Sequence, residues 1–335
     1  MKARRSWSLL PAGLSLMLVA GCRSAHPQSS LHPASEAAGQ IALLWWVMFA
    51  ALAAAFVLVM ALVTLAVIRR SRDGSERRVQ QRSRWLVIGG GIAFPGLVLL
   101  GMLFYSLGTS NALRRPPEGL RIQVIGYQWW WEVRYPELGI VTANELHLPA
   151  GVPVVLELRA ADVVHSFWVP ALHGKMDLMP EVTTRLVVQA DEPGEWRGQC
   201  AEFCGRQHAW MGLEVVALAP EAFEQWTTER RQSVAPDGES AAIALRRQGE
   251  EVFFREACHT CHAIAGTTAV ARIGPDLTHF GSRRTLGAGR VANTDEHLAN
   301  WLLNPQELKP GNLMPATPLA PDELDALVAY LRAQQ

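Results

Sequence analysis

Two uncharged apolar runs dominate the first third of the chain. Ile41 to Ile68 carries no charged residue over 28 positions, and Trp85 to Leu107 carries none over 23. At about 1.5 Å rise per residue, each run is long enough to cross a hydrocarbon core of about 30 Å. Both are therefore expected to be transmembrane helices, 41–68 and 85–107. A buried core helix is the competing assignment, and the length and lack of charge count against it. Trp45 and Trp46 suit an interfacial belt. Phe94-Pro95-Gly96 predicts a kink, which neighbouring groups in a membrane can accommodate. Between the runs, residues 69–84 hold seven arginines against Asp73 and Glu76. The positive-inside rule assigns that loop to the cytoplasm and both ends of the hairpin to the outer face. Neither run holds an ionisable side chain, so this chain shows no proton or ion path of its own.

Ahead of the hairpin, Lys2, Arg4 and Arg5 precede LLPAGLSLMLVA, the layout of a secretory signal over residues 1–22. Its end, Leu18 to Cys22, resembles a bacterial lipobox. That resemblance implies cleavage before Cys22 and a lipid on its sulfur; a signal anchor with an incidental cysteine is the plainer alternative. Residues 23–40 read as a polar linker. Beyond the hairpin the period changes. From Leu120 to about Leu218 the chain reads as short strands rich in β-branched and aromatic residues, punctuated by Gly and Pro. That predicts a β-sandwich, with loops at one end carrying the chemistry. Pro220 to Arg231 is expected as an amphipathic helix closing a domain at 119–232. Residues 233–240 form a Pro- and Gly-bearing linker. Helical periods then fill 241–335: Ile243 to Glu256, Thr294 to Leu303 with Thr294 as N-cap, and Pro321 to Arg332 with Pro at the first position and acids in the first turn. Leu324, Leu327, Val328 and Leu331 give the last helix one apolar face.

At 335 residues and 49% hydrophobic, the chain is expected to hold two or three domains. Zero net charge hides an asymmetry. Residues 1–118 carry 13 basic and 4 acidic groups, and 119–335 carry 18 and 27. An acidic outer half argues against nucleic acid and allows a basic protein to dock. The acidic excess in the last module, 9 basic against 12 acidic from Ser233 onward, is too small to fix a donor's charge.

Chemistry concentrates in Cys200 to Met211, CAEFCGRQHAWM. Two thiols, an imidazole and a thioether lie within twelve residues, and His165 in DVVHSFWVP is available as a second imidazole. These are copper ligands by softness. Cys200, Cys204, His208 and His165 would also serve zinc, but Met211 favours copper. A Cys200–Cys204 disulfide is the remaining alternative in an oxidising compartment. A second motif, Cys258-His259-Thr260-Cys261-His262, has the spacing of c-type haem attachment. The five cysteines thus fall in three separate motifs, so no structural disulfide is needed.

The copper-like loop resembles that of cytochrome c oxidase subunit II, with Cys200, Glu202, Cys204, His208 and Met211 in register. The resemblance implies a cupredoxin sandwich holding a dinuclear, mixed-valence CuA centre. Cys200 and Cys204 would bridge the coppers, with His165 and His208 each capping one. Met211 and the Glu202 carbonyl would be weak ligands. The Glu202 carboxylate would touch magnesium at the border with subunit I. Trp129, in GYQWWWEVRYP, aligns with the family's electron-entry tryptophan; ordinary packing is the alternative. Lys175 and Asp177 match a Lys-x-Asp facing subunit I. Tyr127 departs from a common histidine, and Pro180-Glu181-Val182 from a common Pro-Gly-Arg, which puts the usual contact with the haem propionate side of subunit I in doubt.

The last module resembles class I cytochromes c. Cys258 and Cys261 would anchor haem c, with His262 and Met314 as axial ligands. Ile273 to Leu277 resembles the loop that supports the histidine, and Met/His ligation would raise the potential. Together these features resemble a caa3-type subunit II with a fused cytochrome c, in a bacterial inner membrane with both soluble domains outside. Its expected role is to pass electrons from a cytochrome c or other donor, through haem c and CuA, to subunit I, with subunit III as a further partner. Oxygen reduction to water and proton pumping would then occur in subunit I. A CuA-bearing nitric oxide reductase subunit, or a stand-alone copper or redox lipoprotein, are the alternatives. The hairpin disfavours the stand-alone reading, because a lipid plus a signal would already anchor such a protein.

Overall fold

The structure is a computed structural model that describes residues 28–69, 76–113, 119–231 and 240–335. The signal segment, with Cys22, lies outside the described residues. So do the start of the arginine loop and most of the second linker. Helix α1 spans Glu36–Ile68. Helix α2, Glu76–Trp85, runs on through wide π turns over Leu86–Ala93 into α3, Phe94–Ala112. Two stretches of 33 residues, Glu36–Ile68 and Gln80–Ala112, are long and apolar enough to cross a membrane. They pack on each other. The helix is irregular near Pro95, where a kink is expected. Pro95 falls in the first turn of α3. The irregularity moves upstream, where Phe94 N–H reaches back five residues to the Gly89 carbonyl.

Helix α1 starts at Glu36 rather than Ile41 because Ser35 caps it, its hydroxyl accepting from Ala38 N at 3.0 Å. That hydroxyl also donates to the Leu172 carbonyl at 2.5 Å. Ala34 pairs with Ala171 O and with Asp191 N, at 2.8 and 3.0 Å. The segment before the helix is thus strapped to the next domain instead of hanging as a free linker.

That domain is a sandwich of two five-stranded sheets. Strands β1 (Leu120–Tyr127), β2 (Trp130–Tyr135), β3 (Ile140–Ala143), β5 (Val154–Ala160) and β8 (Thr184–Val188) form one, ordered β3-β2-β1-β5-β8. Strands β4 (Glu145–Pro149), β6 (His165–Trp168), β7 (Met176–Leu178), β9 (Gly194–Cys200) and β10 (Gly212–Leu218) form the other, ordered β4-β10-β9-β6-β7. The pairs β1/β5 and β4/β10 are parallel. Alternating inward residues fill the space between the sheets, Trp131, Tyr135, Phe167, Leu146, Leu156 and Leu178 among them. Tyr135 Oη ties β2 to β4 by donating to His147 O and accepting His147 N, both at 2.8 Å. Helix α4, Pro220–Arg231, lays Phe223 and Trp226 on one edge.

The last module is helical: α5 (Ser240–Arg255), α6 (Asp295–Leu303), the short α7 (Pro305–Leu308) and α8 (Pro321–Arg332), with a two-stranded ribbon of β11 (Thr285–Leu286) and β12 (Val291–Ala292). The expected caps are present. Thr294 accepts from His297 N, and Pro321 opens α8 with Asp322 and Glu323 behind it. Helices α5 and α8 pack across each other through Phe253 and Tyr330, ring centroids 5.7 Å apart. This module sits on the sandwich. Gly212 N donates to Ala288 O at 3.0 Å, and Arg284 N to the Glu145 carboxylate at 2.5 Å. The Arg284 guanidinium pairs with Glu195 at 2.7 Å, and that of Arg290 lies 4.9 Å from the Trp210 ring.

The His147 ring stacks on Trp226 at 4.6 Å, and burial, with Arg230 and Arg284 nearby, pushes its pKa down to about 3. An unfolded chain takes up a proton near pH 6.5, well before the folded one. Stability held by neutral His147 is therefore complete above pH 6.5 and lost as pH falls toward 3. In His147→Gln, hydrogen exchange of β4 and β10 amides should lose part of its acid dependence between pH 7 and 4; an unchanged slope would refute the assignment.

Candidate metal centre and haem site

The copper-like donors come from two neighbouring strands at one end of a sheet. Cys200 is the last residue of β9, and His165 the first of β6. Cys200 N is held by Met211 O at 3.0 Å, which closes the intervening loop over itself. Six expected donor groups converge there. The two sulfurs stand 3.8 Å apart. Cys200 Sγ is 3.9 Å from His165 Nδ1 and 3.1 Å from Glu202 O. Cys204 Sγ is 3.7 Å from His208 Nδ1 and 3.9 Å from Met211 Sδ. Cys200, Cys204, His165 and Met211 are all buried. The thiols are free, so the disulfide alternative is not the form described.

Electrostatics at this spot favour a cation. The hydrogen bond with Cys204, helped by His165, holds the Cys200 thiol far below its ordinary value. The same contact, with burial, pushes Cys204 far up. Two thiols this close cannot both give up protons to water cheaply. A metal ion shared between the sulfurs resolves the conflict, because it replaces both protons at once. Thiolate, thioether and imidazole donors in one buried pocket fit copper.

Outside the donors lies a supporting ring that sequence reasoning missed. His165 Nε2 meets Asp162 Oδ1 at 2.8 Å. Burial alone would lower the His165 pKa, yet Asp162 and Cys200 together raise it. Asp162 is fixed in turn by Gln128 N at 2.6 Å and Val163 N at 2.7 Å. These bonds outweigh its burial and keep its carboxyl low. The signal was present as Asp-x-x-His, three residues apart. The Cys204 carbonyl accepts twice, from Gln128 Nε2 at 2.7 Å and Trp129 Nε1 at 3.0 Å. Trp129 is thus half-buried against the copper-like loop. The Glu202 carboxylate lies 3.9 Å from Lys175 Nζ, both side chains being exposed. Asp177 is exposed on β7. Glu181 has φ of 63°, the left-handed region that a glycine takes without cost. Glu181 holds that conformation with a non-glycine side chain.

In the helical module, Cys258 and Cys261 flank a tight turn after α5. The Cys261 carbonyl accepts from Ile273 N and Gly274 N at 3.1 and 2.8 Å, which pins the Ile273 to Leu277 loop beside the motif. His262 Nδ1 lies 2.7 Å from the Pro275 carbonyl. A carbonyl only accepts, so Nδ1 carries the proton and Nε2 is left as a free ligand atom. Burial keeps this imidazole neutral by lowering its pKa. Gly274 lies flat on the ring; a Cβ there would sit 2.5 Å from it. Met314 and Cys258 pack on the same core as Phe253 and Leu327. Asn312 shapes the methionine loop by accepting Met314 N at 2.8 Å and donating to Pro305 O and Lys309 O, both at 2.9 Å. Two thiols, a free imidazole nitrogen and a thioether around one apolar core fit haem c.

Two family models match these two modules. Residues 139–218 match the periplasmic domain of cytochrome c oxidase subunit II, and residues 247–335 match cytochrome c. The subunit 2 of cytochrome c oxidase from Bacillus subtilis is 32% identical over 288 residues, covering 79% of both chains. The chain belongs to the cytochrome c oxidase subunit 2 family. The family member from Alkalihalophilus pseudofirmus is 41% identical over 213 residues, 63% of this chain and 60% of the relative's length. A crystal structure of the periplasmic domain of subunit II of cytochrome oxidase from Bradyrhizobium japonicum aligns at 26% identity. It covers 36% of this chain and 99% of that one, with a TM-score of 0.34. The family's CuA and haem c are the cofactors that the two donor sets fit.

Replacing Asp162 with Asn removes the carboxylate that orients His165. Copper affinity should fall roughly 10- to 100-fold, measured by chelator competition. Circular dichroism of the sandwich should stay as in the parent. Unaltered affinity would show that His165 needs no such support.

Proposed function

We propose that this chain is the electron-entry subunit of a haem–copper terminal oxidase. It takes electrons from an external donor and delivers them, through haem c and CuA, to subunit I. There oxygen would be reduced to water with proton pumping. The observation that carries the reading is the joining of two donor sets in one chain, a buried two-thiol copper pocket and a c-type haem motif on a module seated beside it. Copper held by both thiolates would supply a redox centre whose charge is shared over two metals, so little would have to rearrange on electron transfer. The protein's part is to keep that pocket stiff. Cys200 is pinned at a strand end, Cys204 through its doubly bonded carbonyl, and His165 through Asp162. On the haem side, Pro275 O fixes the His262 tautomer, and Asn312 fixes the loop bearing Met314.

In this reading His165, Cys200, Cys204, His208, Met211 and the Glu202 carbonyl hold copper. Cys258 and Cys261 bind the haem edge, and His262 and Met314 its iron. The Glu202 side chain, near Lys175, faces subunit I and takes magnesium there. The two long helices anchor the chain in a bacterial inner membrane, with both soluble modules on the outer side and subunit III among its neighbours. Cys22 carries a lipid.

Metal analysis and an optical spectrum of the purified membrane complex test the reading. Two coppers and one covalent haem in this chain are expected, with further non-covalent haem and another copper in the complex. Non-haem iron in place of that last copper would redirect the reading to nitric oxide reduction. A chain isolated without a haem-bearing partner would make it a stand-alone redox lipoprotein. Zinc at Cys200 and Cys204 would sink the relay. Within the haem module, Met314→Leu should leave haem attached, lower its potential and open the iron to carbon monoxide. No change in potential or carbon monoxide binding would remove Met314 as a ligand.

A further inference from the structure

Lys309 is almost fully buried, 4% exposed, in the loop between α7 and Met314. Its ammonium donates to the backbone carbonyl of Trp129 at 2.7 Å, across 180 positions of sequence. Burial pushes its pKa down to about 7, with the Cys204 sulfur acting the other way. A buried cation answered by a carbonyl is a costly way to pack two modules together; an apolar side chain would serve packing better. The rest of the loop is equally committed. Gln207 Nε2, itself 1% exposed, donates to Lys309 O at 3.1 Å and Pro310 O at 2.9 Å. Lys309 O also takes the Asn312 side chain, which in turn holds Met314 N. On the sandwich side, Trp129 donates from its indole to the Cys204 carbonyl. An unbroken run of contacts therefore leads from the methionine loop, through Lys309 and Trp129, to the backbone carbonyl of Cys204 in the copper-like pocket.

We propose that Lys309 is a positioning residue that seats the haem module on the copper loop, so that the face around Trp129 serves the chain's own haem and not a separate donor protein. The electron entry expected at Trp129 then comes from inside the chain. A soluble donor reaches only the haem module, and copper is reduced second. This rests on the relay reading for its meaning, while the seat itself stands on the contacts.

The test uses the full chain in its complex, with Lys309→Met, Lys309→Arg and, as a wedge remote from the lysine's charge, Gly311→Val. A Cβ at Gly311 would lie 2.6 Å from Arg206 Cδ across the joint. Hydrogen exchange in 203–211 and 306–314 should rise about tenfold in Lys309→Met, the loss expected for a hydrogen bond to a charged group. It should rise in Gly311→Val as well, and return toward the parent in Lys309→Arg. Copper and haem spectra should persist in all three. Light-triggered electron transfer from haem to copper should slow in the two loosened variants. A soluble cytochrome c should reduce haem before copper in the parent, and copper directly in the loosened variants. Unchanged exchange in Lys309→Met, or copper reduced before haem in the parent, overturns the proposal. Absence of copper or haem from the parent would instead fail the relay reading, with the exchange measurement still deciding the seat.

Discussion

Two sulfurs held 3.8 Å apart in a buried pocket set the terms for everything around them. Left to protons, such a pair settles on one charge and keeps the second proton tightly. Only a soft cation lets both sulfurs act as anions in the same place. The sandwich supplies the rigidity this needs. Its strand ends deliver Cys200 and His165 from the same sheet, and the loop between β9 and β10 returns Met211 to the spot from which it left. A flexible loop with the same residues would relax the sulfurs apart and lose the preference.

The supporting ring extends that rigidity outward in two directions. Asp162 orients one imidazole, and its own oxygens are bound by backbone N–H groups that the Tyr127 end of β1 and the turn before β6 present. Gln128 and Trp129 brace the Cys204 carbonyl and carry the load into the seam between modules. The seam is polar. Glu145 and Arg283 are both buried there, with Arg284 between Glu145 and Glu195. Burial raises the Glu145 pKa and lowers that of Arg283 to about 10, each partly offset by the other's charge. Polar seams give orientation more than adhesion, which suits a joint whose purpose is geometry.

Much of this was legible in the chain itself, for a physical reason. Donors in CAEFCGRQHAWM and CHTCH are local, so spacing alone brings them together. The caps at Thr294 and Pro321 are local too, and the structure has them where the sequence predicts. What escaped is long-range or conformational. Lys309 meets Trp129 only after the modules dock, and no period or motif marks it. Asp162 stood three residues from His165, but an aspartate before a valine pair reads as a turn residue. Helix α1 starts five residues ahead of the apolar run at Ile41, because the Ser35 cap, and not apolarity, begins it. Upstream of Pro95 the helix widens into π turns over Leu86–Ala93, a stretch that contains three glycines at 89–91.

The strap at Ala34 and Ser35 has a mechanical meaning. It welds the first turn of α1 to the sandwich through the Ala171–Leu172 and Asp191 backbone. The long helix is then a post and not a tether, and the copper pocket stands at a fixed height and heading above it. Each helical residue turns the post by about 100° and lifts it by about 1.5 Å. The phase of α1, as much as its hydrophobicity, thus decides which way the copper loop faces any neighbouring subunit.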